Sequence, residues 1–190
     1  MLVANPMIEI FSKPGYGFIN YKKILVEFNI QEGDKIADFG CGSGYFPVAL
    51  AKAVGPEGVI TAIDVLLSAL ELVEGRAQND NLLNIVIRRA NLEILGSSGL
   101  LDDSQDIVLM INILHQTENK AGVIAEAKRV IKPGGQIIII DYLPNTLRLG
   151  PVEKMRISAE IIKPLAQSAQ LELVREFKAG DYHWGMVFRK

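Results

Sequence analysis

The stretch Lys35-Ile36-Ala37-Asp38-Phe39-Gly40-Cys41-Gly42-Ser43-Gly44 constrains this chain more than any other. A strand-like run enters three glycines at alternate positions, and a helical pattern begins at once with Tyr45-Phe46-Pro47-Val48. Glycine reaches positive φ without a Cβ clash, so the backbone turns sharply and a ligand can approach it closely. The helix start behind the turn adds free N–H groups and a partial positive charge. A strand ending in such a loop is a place to hold a polar ligand.

The residues that follow alternate between strand and helix patterns. Strands are expected at about Lys35–Phe39, Val59–Ile63, Ile85–Arg88, Asp106–Ile111 and Gln136–Ile140. Between them, helices are expected from Tyr45, from a capping box at Ser68-Ala69-Leu70-Glu71, and over about Glu118–Val130. This β-α-β alternation predicts a parallel sheet covered by helices on both faces, with right-handed crossovers. A further helix is expected near Ser158–Ala169, then two strands, Leu171–Phe177 and Tyr182–Phe188, joined so tightly by Lys178-Ala179-Gly180-Asp181 that they must be antiparallel neighbours. The expected fold is α/β: a Rossmann-like, doubly wound, seven-stranded sheet, mostly parallel, with an antiparallel C-terminal strand pair.

With no repeat or linker in its 190 residues, the chain is expected to form one domain. Residues 1–30 form an N-terminal segment with a helix from about Asn20 to Phe28, and residues 31–190 form the core. Lys and Arg number 20 against 22 Asp and Glu, a net charge of -2. That lacks the basic excess by which nucleic-acid binders neutralise phosphates. Cys41 is the only cysteine, so an intramolecular disulfide is excluded and a reducing compartment suits the chain. The apolar runs are too short to cross a bilayer, and a soluble cytoplasmic protein is expected.

In open α/β sheets, ligands lie beyond the carboxyl ends of the strands. The polar groups there are Asp38, Asp64, Asn91, Asn112, His115, Asp141 and Tyr142. Asp64 lies 20 residues beyond Gly44, the distance at which a carboxylate meets the ribose hydroxyls of a nucleoside laid across the glycine loop. A dinucleotide fingerprint, G-x-G-x-x-G, fits poorly: the glycines are 40, 42 and 44, and position 45 is a tyrosine. Asp38, two residues before the first glycine, suits a cationic ligand better than a pyrophosphate.

Asp38-Phe39-Gly40-Cys41-Gly42-Ser43-Gly44, Asp64, Ile111-Asn112-Ile113-Leu114-His115 and Val130-Ile131-Lys132-Pro133-Gly134-Gly135 together resemble the class I S-adenosylmethionine-dependent methyltransferases. The likeness runs over about residues 30–190 and leans toward the small-molecule branch typified by ubiquinone/menaquinone-biosynthesis methyltransferases. It implies that Gly40, Cys41, Gly42 and Gly44 pass beneath the methionine part of S-adenosylmethionine, with Asp38 facing its ammonium. It further implies that Asp64 binds the ribose, Val65 packs on adenine, Asn91-Leu92 borders the adenine edge, and Asn112 offers its backbone carbonyl. Many members carry aspartate where Asn91 stands. No metal site is expected.

Blander roles stand beside these: Asp64 as a helix cap, Asn91 as a turn residue, Cys41 as a small residue in a tight loop, His183 as a structural histidine, and Arg88-Arg89 as solvated charges. His115 is the one candidate for a catalytic base, against a role in ordering its own loop. The expected activity is methyl transfer to a small-molecule acceptor. The alternatives are an RNA or protein methyltransferase with the same cofactor site, a non-catalytic module that binds the cofactor or its product, and, less well supported, a nicotinamide-dependent oxidoreductase.

Overall fold

The computed structural model describes Ile19 and residues 24–144 and 150–190. Residues 1–18, most of the N-terminal segment expected over residues 1–30, lie outside the described residues. So does the start of the expected helix over 20–28. Its described end is a 3-10 turn, Leu25–Phe28, stopped by Asn29 at φ 49. Ile24 and Phe28 bury themselves as their spacing predicts.

The elements follow in the expected order: β1 (Lys35–Phe39), α1 (Tyr45–Ala53), β2 (Val59–Asp64), α2 (Leu67–Asn79), β3 (Ile85–Arg89), β4 (Gln105–Ile111), α3 (Lys120–Val130), β5 (Ile131–Tyr142), α4 (Ala159–Ser168), β6 (Glu172–Lys178) and β7 (His183–Arg189). They build one seven-stranded sheet of order β3-β2-β1-β4-β5-β7-β6. Strands β1 to β5 are parallel where they pair, and β7 is antiparallel to both β5 and β6. The sequence order of the strands reverses between β1 and β4, and that switch point is where ligands bind in such sheets.

Both faces of the sheet are covered, which explains the unbroken apolar run of β5. Ile137 and Ile139 enter one core with Phe39, Val123, Ile124 and Ile162, beneath α3 and α4. Ile138 and Ile140 enter the other, with Leu50, Val54 and Phe28. All four isoleucines are fully buried. Strands with two apolar faces have no polar alternation to show, and the sequence of such a strand reads as a continuous run.

Two helix starts differ from expectation. Leu66, not Ser68, precedes α2, and no side chain of a Ser-x-x-Glu box caps it. The Leu66 N–H donates to Asp64 Oδ1 at 2.9 Å, so the carboxylate at the end of β2 fixes the residue from which α2 starts without capping its free N–H groups. Helix α3 begins at Lys120 rather than Glu118, because the Asn119 side chain accepts from Gly122 N at 3.0 Å. No described helix is long and apolar enough to cross a membrane.

The long connection from β3 to β4 is pinned by one buried acid. Glu126 of α3 accepts from the N–H groups of Gly96 and Ser98 and from the Ser98 hydroxyl, and pairs with Arg129. Burial alone would raise its pKa, but Arg129, Ser98 and the two amides outweigh that and hold the carboxyl at about 2. Glu126→Ala is expected to cost about 3–5 kcal/mol in urea unfolding at pH 7, since it leaves Arg129 and two amides without their acceptor. The unfolded carboxyl titrates near ~4.3, so this stabilisation is complete above that pH and is lost as pH falls toward 2. The acid limb of the stability curve should be correspondingly shallower in Glu126→Ala.

Candidate functional site

Each glycine of the loop after β1 has positive φ: 75° at Gly40, 50° at Gly42 and 84° at Gly44. Their surroundings differ. A Cβ on Gly40 would stand 2.7 Å from Ile113 Cδ1, and one on Gly44 would stand 3.0 Å from Val73 Cα. These two are glycines because the turn after β4 and helix α2 press against them. Gly42 has nothing within 4 Å of its Cβ position, so the backbone there is open for a ligand to approach.

The loop is held from three directions. Gly40 N and Cys41 N both donate to Ile63 O, at 2.8 and 3.0 Å. Gly42 N donates to Asp64 Oδ2 at 3.0 Å. Arg76 donates from Nε to Ser43 O at 2.7 Å, with its guanidinium 4.0 Å over the Tyr45 ring. Arg89 holds the neighbouring loop, donating to Val65 O at 3.0 Å, and Arg88 donates to Gly99 O. Arg88 and Arg89 are both exposed, as charges facing solvent should be, and each also donates to one loop carbonyl. Arginine reaches a carbonyl while leaving its guanidinium partly in water, which no periodicity reports.

The decisive polar groups sit at the ends of the adjacent strands β1 and β4. Asp38 is 2% exposed, and its Oδ2 has no hydrogen-bond partner. Asn112, in the left-handed region at φ 56, buries an Oδ1 that is also unpartnered. Its backbone carbonyl accepts from Gln116 Nε2 at 3.3 Å. Burial, and secondarily the charge of Asp64, push the Asp38 carboxyl up to about 7. Two buried acceptors lacking donors are costly alone and complementary to a ligand rich in N–H.

The other sequence candidates spread out. Val65 is half exposed on the rim, whereas Leu92 is buried in the core. Asn91 Oδ1 accepts from Glu93 N at 3.1 Å, the turn role. Cys41 is buried, and burial together with Asp38 and Asp64 raises its thiol far above the ordinary range, so it stays protonated.

Across the crevice, Asp141 at the end of β5 is fully buried and takes three donors. His115 N donates to Oδ2 at 3.0 Å, His115 Nδ1 meets Oδ1 at 2.8 Å, and Tyr142 N donates to Oδ1 at 2.8 Å. The sequence placed both residues at strand ends but had no means of pairing them, since 26 positions separate them. Tyr142 sets its ring edge-on to His115, with centroids 5.4 Å apart, and lies 4.3 Å from the ring of His183. His183 is buried with neither ring nitrogen bonded, and burial drives its pKa down to about 4, so it is neutral in ordinary buffers.

Residues 30–181 match the family described as a methyltransferase domain, most of the chain. This chain belongs to that family. A demethylmenaquinone methyltransferase of Staphylococcus aureus is 29% identical over 126 residues, covering 66% of this chain and 50% of that protein. The chain thus spans about half the length of the curated relatives it matches. A SAM-dependent methyltransferase from Aquifex aeolicus shares the fold at a TM-score of 0.85, with 24% identity and 96% of each chain covered. An arsenic (III) S-adenosylmethionine methyltransferase from Chlamydomonas reinhardtii does so at 0.67, with 24% identity, over 83% of this chain and 63% of that one.

S-adenosylmethionine is the cofactor this methyltransferase family implies, and the residues present fit it. The unpartnered acceptors of Asp38 and Asn112 suit an ammonium donor, and the open backbone at Gly42 admits a ligand. The cost of Asp38 can be measured without ligand. An unfolded aspartate ionises near ~3.9, the folded one near 7. Stability therefore falls as pH rises through that window and stays low above it. Asp38→Asn is expected to melt ~5 °C or more above the wild type at pH 8 and level with it near pH 4, by scanning calorimetry.

Proposed function

We propose that this protein transfers a methyl group from S-adenosylmethionine to a small-molecule acceptor, and that the crevice between β1 and β4 is the cofactor site. The observation that carries the site is the pair of buried, unpartnered acceptors, Asp38 Oδ2 and Asn112 Oδ1, on adjacent strand ends. Together they take the N–H donors of the cofactor's ammonium, and Asp38 ionises as it does so. Gly42 lets the backbone lie beneath the methionine part. Each Asp64 oxygen accepts one backbone N–H and keeps a second lone pair, so the carboxylate holds the loop and still receives ribose hydroxyls. Val65 packs on the adenine from the rim, and the backbone of Asn91-Leu92 lies along its edge.

The bound cofactor supplies a methyl group already activated on a sulfonium. The protein's own work is then to align donor and acceptor and to exclude water. The S. aureus relative, by its name, acts on a small molecule, and the chain's net charge of -2 gives no electrostatic footprint for nucleic acid. Both support a small-molecule acceptor. Residues 31–190 form the catalytic unit in this reading, with the segment before them as cover, in a cytoplasmic setting.

Titration calorimetry with S-adenosylhomocysteine, which keeps the ammonium, tests the site. Because Asp38 must ionise to pair with it, affinity should climb about tenfold per pH unit up to about 7 and level off above. Asp38→Asn should bind about tenfold or more weakly at pH 8 and lose that pH dependence. No binding of either S-adenosylhomocysteine or S-adenosylmethionine would sink the reading.

A further inference from the structure

We infer that His115 is the general base of the reaction, oriented by Asp141, and that the acceptor is therefore a hydroxyl compound methylated on oxygen. This rests on the proposed methyl transfer and specifies its substrate.

The geometry of His115 is over-determined. Its backbone N–H and its Nδ1 both address the same carboxylate, and Tyr142 N–H takes a further place on it. The neutral ring therefore carries its proton on Nδ1, and Nε2 is left as an acceptor. Nε2 makes no hydrogen bond to any described residue. The Tyr142 ring, edge-on at 5.4 Å, blocks rotation of the imidazole away from this pose. The turn bearing His115 lies against the glycine loop, because Ile113 fills the space beside Gly40. His115 is thus held on Asp141, on the turn that packs against Gly40 of the loop proposed to carry the methyl donor, and a base in that place needs a proton to remove.

Which proton follows from the surroundings. A cationic amine acceptor requires an anionic partner, and the Asp141 side chain, fully buried beneath His115 and Tyr142, is not exposed to serve as one. His183, neutral and tilted against the Tyr142 ring, adds no negative charge, and Arg156 lies 6.0 Å from the Tyr142 ring centroid. An amine also has a free-base fraction in solution and needs no base in the transition state. A hydroxyl is a poor nucleophile until its proton leaves, and general-base removal contributes about 10²–10⁴ in rate. In the step, the acceptor oxygen forms its bond to the methyl carbon while the carbon–sulfur bond breaks and its electron pair stays on sulfur. The hydroxyl proton passes to His115 Nε2 and from there to solvent. A methyl ether and a neutral thioether result.

The test uses the full-length protein, methyl-labelled S-adenosylmethionine, and a panel of catechol, phenol, benzylamine and thiophenol. The expected label is on oxygen. His115→Gln should lower kcat about a hundredfold or more with the cofactor KM unchanged, and its rate should keep rising at alkaline pH as the acceptor ionises by itself. Asp141→Asn, which disturbs the tautomer but leaves the base present, should lower kcat less and shift the pH profile. S-adenosylhomocysteine affinity, measured by calorimetry in all three proteins, should be equal. Label on nitrogen or sulfur, no labelled product from the panel, or a His115→Gln rate within about threefold of wild type overturns the inference. Retained S-adenosylhomocysteine binding in those events leaves the cofactor site standing. Its absence in the wild type removes the underlying reading instead.

Discussion

Backbone N–H groups left over where strands give way to loops need acceptors, and in this protein buried carboxylates supply them. Asp64 bridges the glycine loop to the residue that precedes α2. Asp141 bridges the turn after β4 to the end of β5. Glu126 bridges the β3–β4 connection to α3. Each acid joins two segments that share no strand pairing, so the irregular end of the sheet is held nearly as firmly as its regular middle. A charged acceptor makes stronger bonds to amides than a neutral one, and it repays burial only when several donors converge on it.

Asp38 breaks this pattern, and the proposed site rests on that exception. It is buried among the same strand ends, yet one oxygen has no donor, and the carboxyl is pushed up to about 7. The fold carries that unfavourable ionisation because the sheet around it is over-stabilised: the isoleucines of β5 are buried on both faces, flanked by the parallel β4 and the antiparallel β7. A rigid centre lets one unmatched carboxylate persist, as the proposed cation site requires. The same rigidity serves His115 and Asp141, whose contact depends on β4 and β5 ending at matching heights.

Much of this was readable beforehand. Alternation of strand and helix patterns, the glycine loop and the short β6–β7 connection predicted the sheet, its mixed direction and the strand ends where polar residues gather. Helix boundaries were less legible. The box at Ser68 is a local signal, and it lost to Asp64, whose carboxylate reached the helix start from the preceding strand. Arg88 and Arg89 face solvent as they read, but nothing local shows which carbonyl each long side chain reaches. The three glycines read alike, but two answer to Ile113 and Val73, residues 73 and 29 positions away, and only Gly42 is open.

The chain's sequence by itself determined the architecture and the nature of the cofactor loop, because these follow from periodicity and from backbone conformations only glycine adopts easily. Only the tertiary structure decided which acceptors lack donors and which acid meets which histidine. Those facts depend on how strands far apart in the chain come to end side by side, and on the burial that results. Asp38 without a partner and Asp141 with three donors are the same residue type at the same kind of strand end. Packing alone makes one a proposed binding group and the other an anchor.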